Sequence, residues 1–260
     1  MPTLNLHIVL AVLVTAVVGG LIGLDRTAFG QFMVSQPIVA CPLVGWMVGD
    51  SAAGFVIGAA LELIWVLDMP VGTFVPANAT ISAISATAMA VLASPGKASL
   101  PVIGASVLLT TVLAPVTMKV DGLVRKWNSR LAERARADQR PDAGRRLARI
   151  HLFGLVAFFL KSFVLLLVFV PAGIWAVMLF QHLPENVHRA MALFVKLLPL
   201  LGVALVARKL SMKAVDLFFL GGFVFSAATA QAFRAPALVI ILLTALAGLL
   251  GARYRAQRSS

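Results

Sequence analysis

Residues 6–24 carry no Asp, Glu, Lys or Arg, and a helix needs about 20 mostly apolar residues to cross the hydrocarbon core of a bilayer. Lipid offers the backbone no hydrogen-bond partners, so a chain built on such runs must satisfy its own N–H and C=O groups, most simply as helices. The pattern recurs at 99–118, 151–180, 189–207, 210–230 and 235–251. With 60% hydrophobic and only 12% charged residues, the apolar surface exceeds what one soluble core of 260 residues can bury. An all-α, polytopic integral membrane protein is expected. The first residues lack the basic start and small-residue cleavage site of a signal peptide, so 6–24 is expected to be a retained membrane segment.

The net charge of +12 would suit a nucleic-acid binder, but its placement argues against one. Residues 119–149 hold ten basic and four acidic side chains, half the excess, and Arg253, Arg255 and Arg258 cluster at the end. Basic loops beside apolar spans are the pattern of the positive-inside rule, so the charge reports orientation. The link at 207–213 is also basic, which places it with the 119–150 connector and the 253–260 tail on the cytoplasmic side. Such clusters also suit contact with anionic membrane lipid. Cys41 stands alone, which excludes an internal disulfide and a cysteine metal site. The four histidines show no metal spacing.

Four parts are expected: an N-terminal membrane region over 1–118, a polar, mostly helical connector over 119–150, membrane helices over 151–252, and the tail. The first part is irregular. Segment 37–49 is too short to span, 53–67 carries Glu62, and 69–93 is broken by Pro70, Gly72 and Pro76. Short segments interrupted by Gly and Pro at membrane depth imply re-entrant or broken helices lining an enclosed cavity, where substrate sites are built.

Within "GWMVGDSAAGFVIGAALELIW" (45–65), Gly45 and Gly49 are four apart, as are Gly54 and Gly58. Each pair lets helix backbones approach closely. Asp50 follows Gly49, and Glu62 lies four residues after Gly58. This combination resembles the signature of the membrane subunit IIC of the mannose/fructose/sorbose family of the sugar phosphotransferase system. Gly45, Gly49, Asp50, Gly54, Val56, Gly58, Leu61 and Glu62 match it, while Phe55, Ala59 and Ala60 depart from it. The flanks "LDRTAFGQFMVSQPIVACPLVG" and "MPVGTFVPANATISAISA" are similar to the family too, so the resemblance covers roughly residues 20 to 95.

The resemblance implies a subunit that translocates sugar together with a second membrane subunit, IID. The sugar would be phosphorylated on entry by soluble IIB, itself charged by IIA. It also implies a homo-oligomer of the IIC–IID unit, no phosphoryl-carrying residue in this chain and no cofactor. Two rivals stand beside it. One is a gradient-driven secondary transporter of a small polar solute, using Glu62 as its ion site. The other is a non-transporting scaffold or sensor derived from such a subunit.

Glu62 is the leading substrate-binding candidate. A carboxylate at membrane depth costs about 2.5–3.5 kcal/mol on insertion scales, so it faces a cavity or a partner. It can accept two vicinal sugar hydroxyls at once; its structural alternative is an ion pair with Lys161 or Lys196. Asn78 both donates and accepts, which suits a hydroxyl-rich ligand, and Thr80 lies beside it; satisfying freed backbone groups is the even alternative for Asn78. Asp68 could join the site or cap a helix starting near Pro70. Trp65 could stack on a sugar face or anchor at the membrane interface. Asp50 is expected to cap the following helix. Lys161 lies deep in a span and requires a partner that the sequence does not name.

Overall fold

The computed structural model describes residues 6–65, 75–94, 96–136 and 143–210. Seven helices occupy them, and no strand occurs among the described residues: α1 (Leu6–Asp25), α2 (Pro37–Val48), α3 (Ser51–Trp65), α4 (Ala79–Leu92), α5 (Leu100–Arg136), α6 (Ala143–Gln181) and α7 (Glu185–Leu210). Two compact units divide the chain at 203/204. The first holds α1 to α6 and most of α7; of the second, only the end of α7 lies among the described residues.

Among the described residues, three helices are long and apolar enough to cross a membrane: Leu6–Asp25, Leu100–Arg134 and Leu147–Gln181. Their outer faces carry Leu10, Val14, Val17 and Leu21 on α1, Val112 and Val116 on α5, and Val156, Leu160, Val164 and Val168 on α6, all exposed. Water would penalise that surface at roughly 25 cal/mol per Å². Lipid does not, and the chain is an integral membrane protein.

At the centre is α4, whose residues from Thr80 to Val91 are all buried. It packs against α1, α2, α3, α5 and α6. Its composition, "ATISAISATAMAVL", explains why it can sit there: small side chains let five neighbours approach together. Thr87 is accommodated within the helix itself, its Oγ1 donating to the Ala83 carbonyl at 3.1 Å.

The irregular stretch of the sequence becomes a hairpin of two short helices. Twelve residues in α2 and fifteen in α3 give lengths of about 18 and 22 Å, short of the roughly 30 Å core. Pro37 opens α2 at a position where its missing N–H costs nothing. Gly49 closes it with φ of 110°, a left-handed conformation open to glycine and strained for other residues. Pro42 lies inside α2 without ending it.

The polar stretch after residue 118, expected to be mostly helical, is helical where described: it continues α5 to Arg136 and forms the first turns of α6 from Ala143. The boundaries expected at 118/119 and 150/151 therefore fall inside helices. Loss of hydropathy marks where a helix leaves lipid, and a helix rich in Ala, Leu, Arg, Lys and Glu continues in water. The expected segment 189–207 lies within α7, and Pro171 sits within an unbroken α6. Segments 210–230 and 235–251, apart from the last residue of α7, lie outside the described residues, as do Asp68 and the breaks at Pro70 and Gly72.

Candidate functional site

Pro76 and Ala77 precede α4 in a non-helical stretch, which leaves the first N–H groups of a fully buried helix to be satisfied by side chains. Asn78 does this as N-cap, its Oδ1 accepting from the Ile81 N–H at 3.1 Å. Its own N–H donates to Thr117 Oγ1 on α5 at 2.9 Å, and Nδ2 reaches Asp121 Oδ2 at 3.4 Å. Arg26, just past α1, donates to Asn78 Oδ1 at 3.4 Å and to the Ala77 carbonyl at 3.1 Å. One asparagine thus joins the ends of α1 and α4 to the middle of α5.

Asp121 carries the network to α6, where Lys161 Nζ lies 2.5 Å from its Oδ1. Both side chains are at least nine-tenths buried. This supplies the partner Lys161 requires. Isolated, either charge would be costly in this environment. Paired and hydrogen-bonded, they hold α5 against α6 at the level where α4 begins.

The loop between α1 and α2 forms the adjoining wall. Asp25 ends α1 with its carboxylate turned back on this loop, Oδ1 accepting from Phe32 N–H at 2.6 Å and Oδ2 from Ser35 N–H at 3.0 Å. That pair of bonds holds a backbone in which Gln31 and Met33 have φ of 58° and 65°. Thr80 Oγ1 donates to the Ser35 carbonyl at 2.8 Å. Three residues further, Ile38 N–H donates to Glu62 Oε2 at 3.2 Å.

Glu62 therefore lies at the open end of the α2–α3 hairpin, half-buried, with one carboxylate oxygen on an orphan N–H of the first turn of α2. An acid there is favoured by the helix dipole. Trp65, half-buried, packs on the core at the end of α3. Glu62 and Thr80 are connected through the Ser35–Ile38 segment, which the sequence alone did not disclose. Lys196 is exposed on α7.

The glycines and Asp50 belong to the opposite end and inner face of the hairpin. A Cβ on Gly54 would strike the Cys41 carbonyl, and one on Gly58 would lie 2.5 Å from the Pro37 carbonyl oxygen. A Cβ on Gly45 would lie 2.5 Å from the Asp50 carbonyl oxygen and 3.2 Å from the Cα atoms of Gly54 and Ser51. Asp50 accepts from Ala53 N–H at 3.0 Å as a cap for α3, and from Ala98 N–H at 3.0 Å. It thereby fastens the hairpin turn to the segment before α5.

Sequence reasoning missed Asp121, Arg26, Asp25 and Thr117. A lysine deep in a span signals that an acid is near; the apparent end of a span at Met118 hid Asp121 in what read as solvated helix. No group of three or more His, Cys, Asp or Glu among the described residues is placed to hold a metal ion. This end of the bundle offers a carboxylate, an amide, hydroxyls and cations. Those groups recognise hydroxyls and charge.

A family model described as the sorbose-specific IIC component of the phosphotransferase system matches residues 6–250. The fructose permease IIC component of Bacillus subtilis is 26% identical over 228 residues, covering 86% of this chain and 80% of that protein. The mannose-specific EIIC component of Escherichia coli K12 is 28% identical over 237 residues, 88% of this chain and 83% of the relative. The sorbose-specific EIIC component of Klebsiella pneumoniae is 29% identical over 204 residues, 74% and 71% of the two chains. Among solved structures, a chain described as a membrane protein superposes with a TM-score of 0.70 at 22% identity, over 98% of this chain and 97% of the other. A chain of the mannose transporter ManYZ in complex with microcin E492 gives a TM-score of 0.53 at 23% identity, over 99% and 97%. The two superpositions establish the fold.

Proposed function

The chain belongs to the family of sorbose-specific IIC components of the phosphotransferase system, and from that premise we propose that it translocates a sugar across the bacterial cytoplasmic membrane together with a IID subunit. The sugar is phosphorylated on entry by soluble IIB, charged in turn by IIA. The IIC–IID unit is the repeating element of a homo-oligomer, and the basic ends of α5 and α6 and the C-terminus face the cytoplasm. The match over 6–250, with relatives named for mannose, fructose and sorbose, carries this reading.

The sugar binds at the open end of the α2–α3 hairpin. Glu62 is the direct acceptor: Oε2 rests on Ile38 N–H and the carboxylate is half-buried, so it has capacity left for sugar hydroxyls. Asn78 and Thr80 fix the start of α4 as the wall of the site; most of the Asn78 amide is already taken up by Ile81, Arg26 and Asp121. Trp65, at the end of α3, completes the same end. The site end moves against a scaffold of the remaining helices, giving alternating access, and phosphorylation traps the product inside.

Charge-assisted hydrogen bonds are worth about 1.5–3 kcal/mol each. Glu62→Gln should therefore weaken sugar uptake by the IIC–IID complex about ten- to a hundredfold, with the complex still assembled. Uptake of labelled mannose, fructose and sorbose by the two proteins, alongside gel filtration of the complex, measures this. Unchanged uptake in the variant would remove Glu62 from the site.

A further inference from the structure

A cleft of about 660 Å³ opens between α5, α6 and the Thr27–Ala28 segment that follows α1. Leu131 on α5 and Ile150, Leu155 and Phe158 on α6 give it apolar walls, with Asn128 and His151 adding polar groups. Gly154 faces Asn128: a Cβ there would stand 3.7 Å from the amide nitrogen, so the absent side chain keeps the cleft open. Two buried polar atoms have no hydrogen-bond partner: Asn128 Oδ1 in the cleft wall, and Arg125 Nε, which lies outside the lining but one helical turn before Asn128 on the same face of α5. Leaving such atoms unpaired is unfavourable. A ligand that supplies a donor to one and an acceptor to the other removes that cost.

Depth and charge narrow the ligand. The sequence turns from apolar to charged after Met118 on α5 and back to apolar at Leu152 on α6. Trp127 stands half-exposed on α5 between these levels, a common position for tryptophan at a membrane interface. The cleft thus lies at the depth of lipid headgroups. Lys126, Arg130, Arg145 and Arg149 flank it in sequence with Arg125, against the single acid Glu133 on the same described turns. Basic clefts between membrane helices at this level suit anionic headgroups.

We propose that this cleft binds an anionic phospholipid with a hydroxylated headgroup, of the phosphatidylglycerol type. Its phosphate accepts from Arg125, and a headgroup hydroxyl donates to Asn128 Oδ1. An acyl chain lies along Leu155 and Phe158. Phosphatidylethanolamine also supplies a donor, but its ammonium brings a further cation among the arginines. An acidic protein surface supplies charge, but nothing to fill the apolar depth.

Native mass spectrometry of the full chain in mild detergent, offered phosphatidylglycerol or phosphatidylethanolamine, tests the assignment. The wild type should retain phosphatidylglycerol in preference. Arg125→Gln should lower that retention about fivefold, the loss of one basic contact. Gly154→Leu, which fills the cleft, should lower it at least as much, and Arg189→Gln on α7 should leave it unchanged. Equal retention of the two lipids, or unaltered phosphatidylglycerol retention in Arg125→Gln, overturns the proposal. So does capture of an acidic protein that depends on Gly154 and leaves lipid retention untouched. If Gly154→Leu fails to fold, Arg125→Gln decides alone. No outcome depends on which sugar the protein carries, so failure here leaves the transport reading standing.

Discussion

Lys161 and Asp121 show how a single pair can fix three helices. The ammonium sits on α6 and the carboxylate on α5, and the other carboxylate oxygen takes the amide of Asn78 at the start of α4. Removing one partner of a buried pair leaves a charge with no compensation, typically a loss of about 3–5 kcal/mol, whereas removing both is far milder. Lys161→Met alone should therefore lower the thermal midpoint of the detergent-solubilised protein sharply. Lys161→Met combined with Asp121→Asn should restore most of it, and a double variant no more stable than the single would show that the pair is not what holds these helices. Glu62 was legible because an acid in an apolar run has few uses. Its bond to Ile38 was not, since it joins residues 24 apart. Asn78 read equally as a ligand and as a partner for freed backbone groups, and its Oδ1 takes the Ile81 N–H at the start of α4.

At the level of elements, the sequence disclosed length better than termination. Prolines and glycines between 37 and 76 announced helices too short to span, and α2, α3 and α4 have 12, 15 and 14 residues. The junction at 118 misled because hydropathy tracks the surrounding medium, while the hydrogen bonds of α5 run on to Arg136. Glycines divide by what they face. Gly54 abuts the Cys41 backbone, which cannot yield as a side chain tip can, while Gly122 on α5 has open space. Overpacking costs about 1–3 kcal/mol or more, so Gly54→Ala should destabilise the α2–α3 hairpin measurably. Gly122→Ala should be neutral or stabilising by up to about 1 kcal/mol from helix propensity. Thermal unfolding of the two variants side by side measures the contrast, and equal effects would contradict the close approach of α2 and α3.

Over the whole molecule, composition settled the solvent, the glycine–acid signature pointed to the family, and the match over 6–250 establishes it. Asn78 meets Thr117 and Arg26 across 39 and 52 residues of sequence. The buried α4 brings those segments together, which explains why the connections of the site could not be read in advance. The most direct test is sugar uptake into vesicles holding this chain with and without IID, with IIB and IIA enclosed at the cytoplasmic face. The expected result is accumulation of sugar phosphate only when both membrane subunits and the phosphoryl donors are present, and no response to collapse of ion gradients. Uptake of free sugar by this chain alone, driven by an ion gradient and abolished by Glu62→Gln, would contradict it.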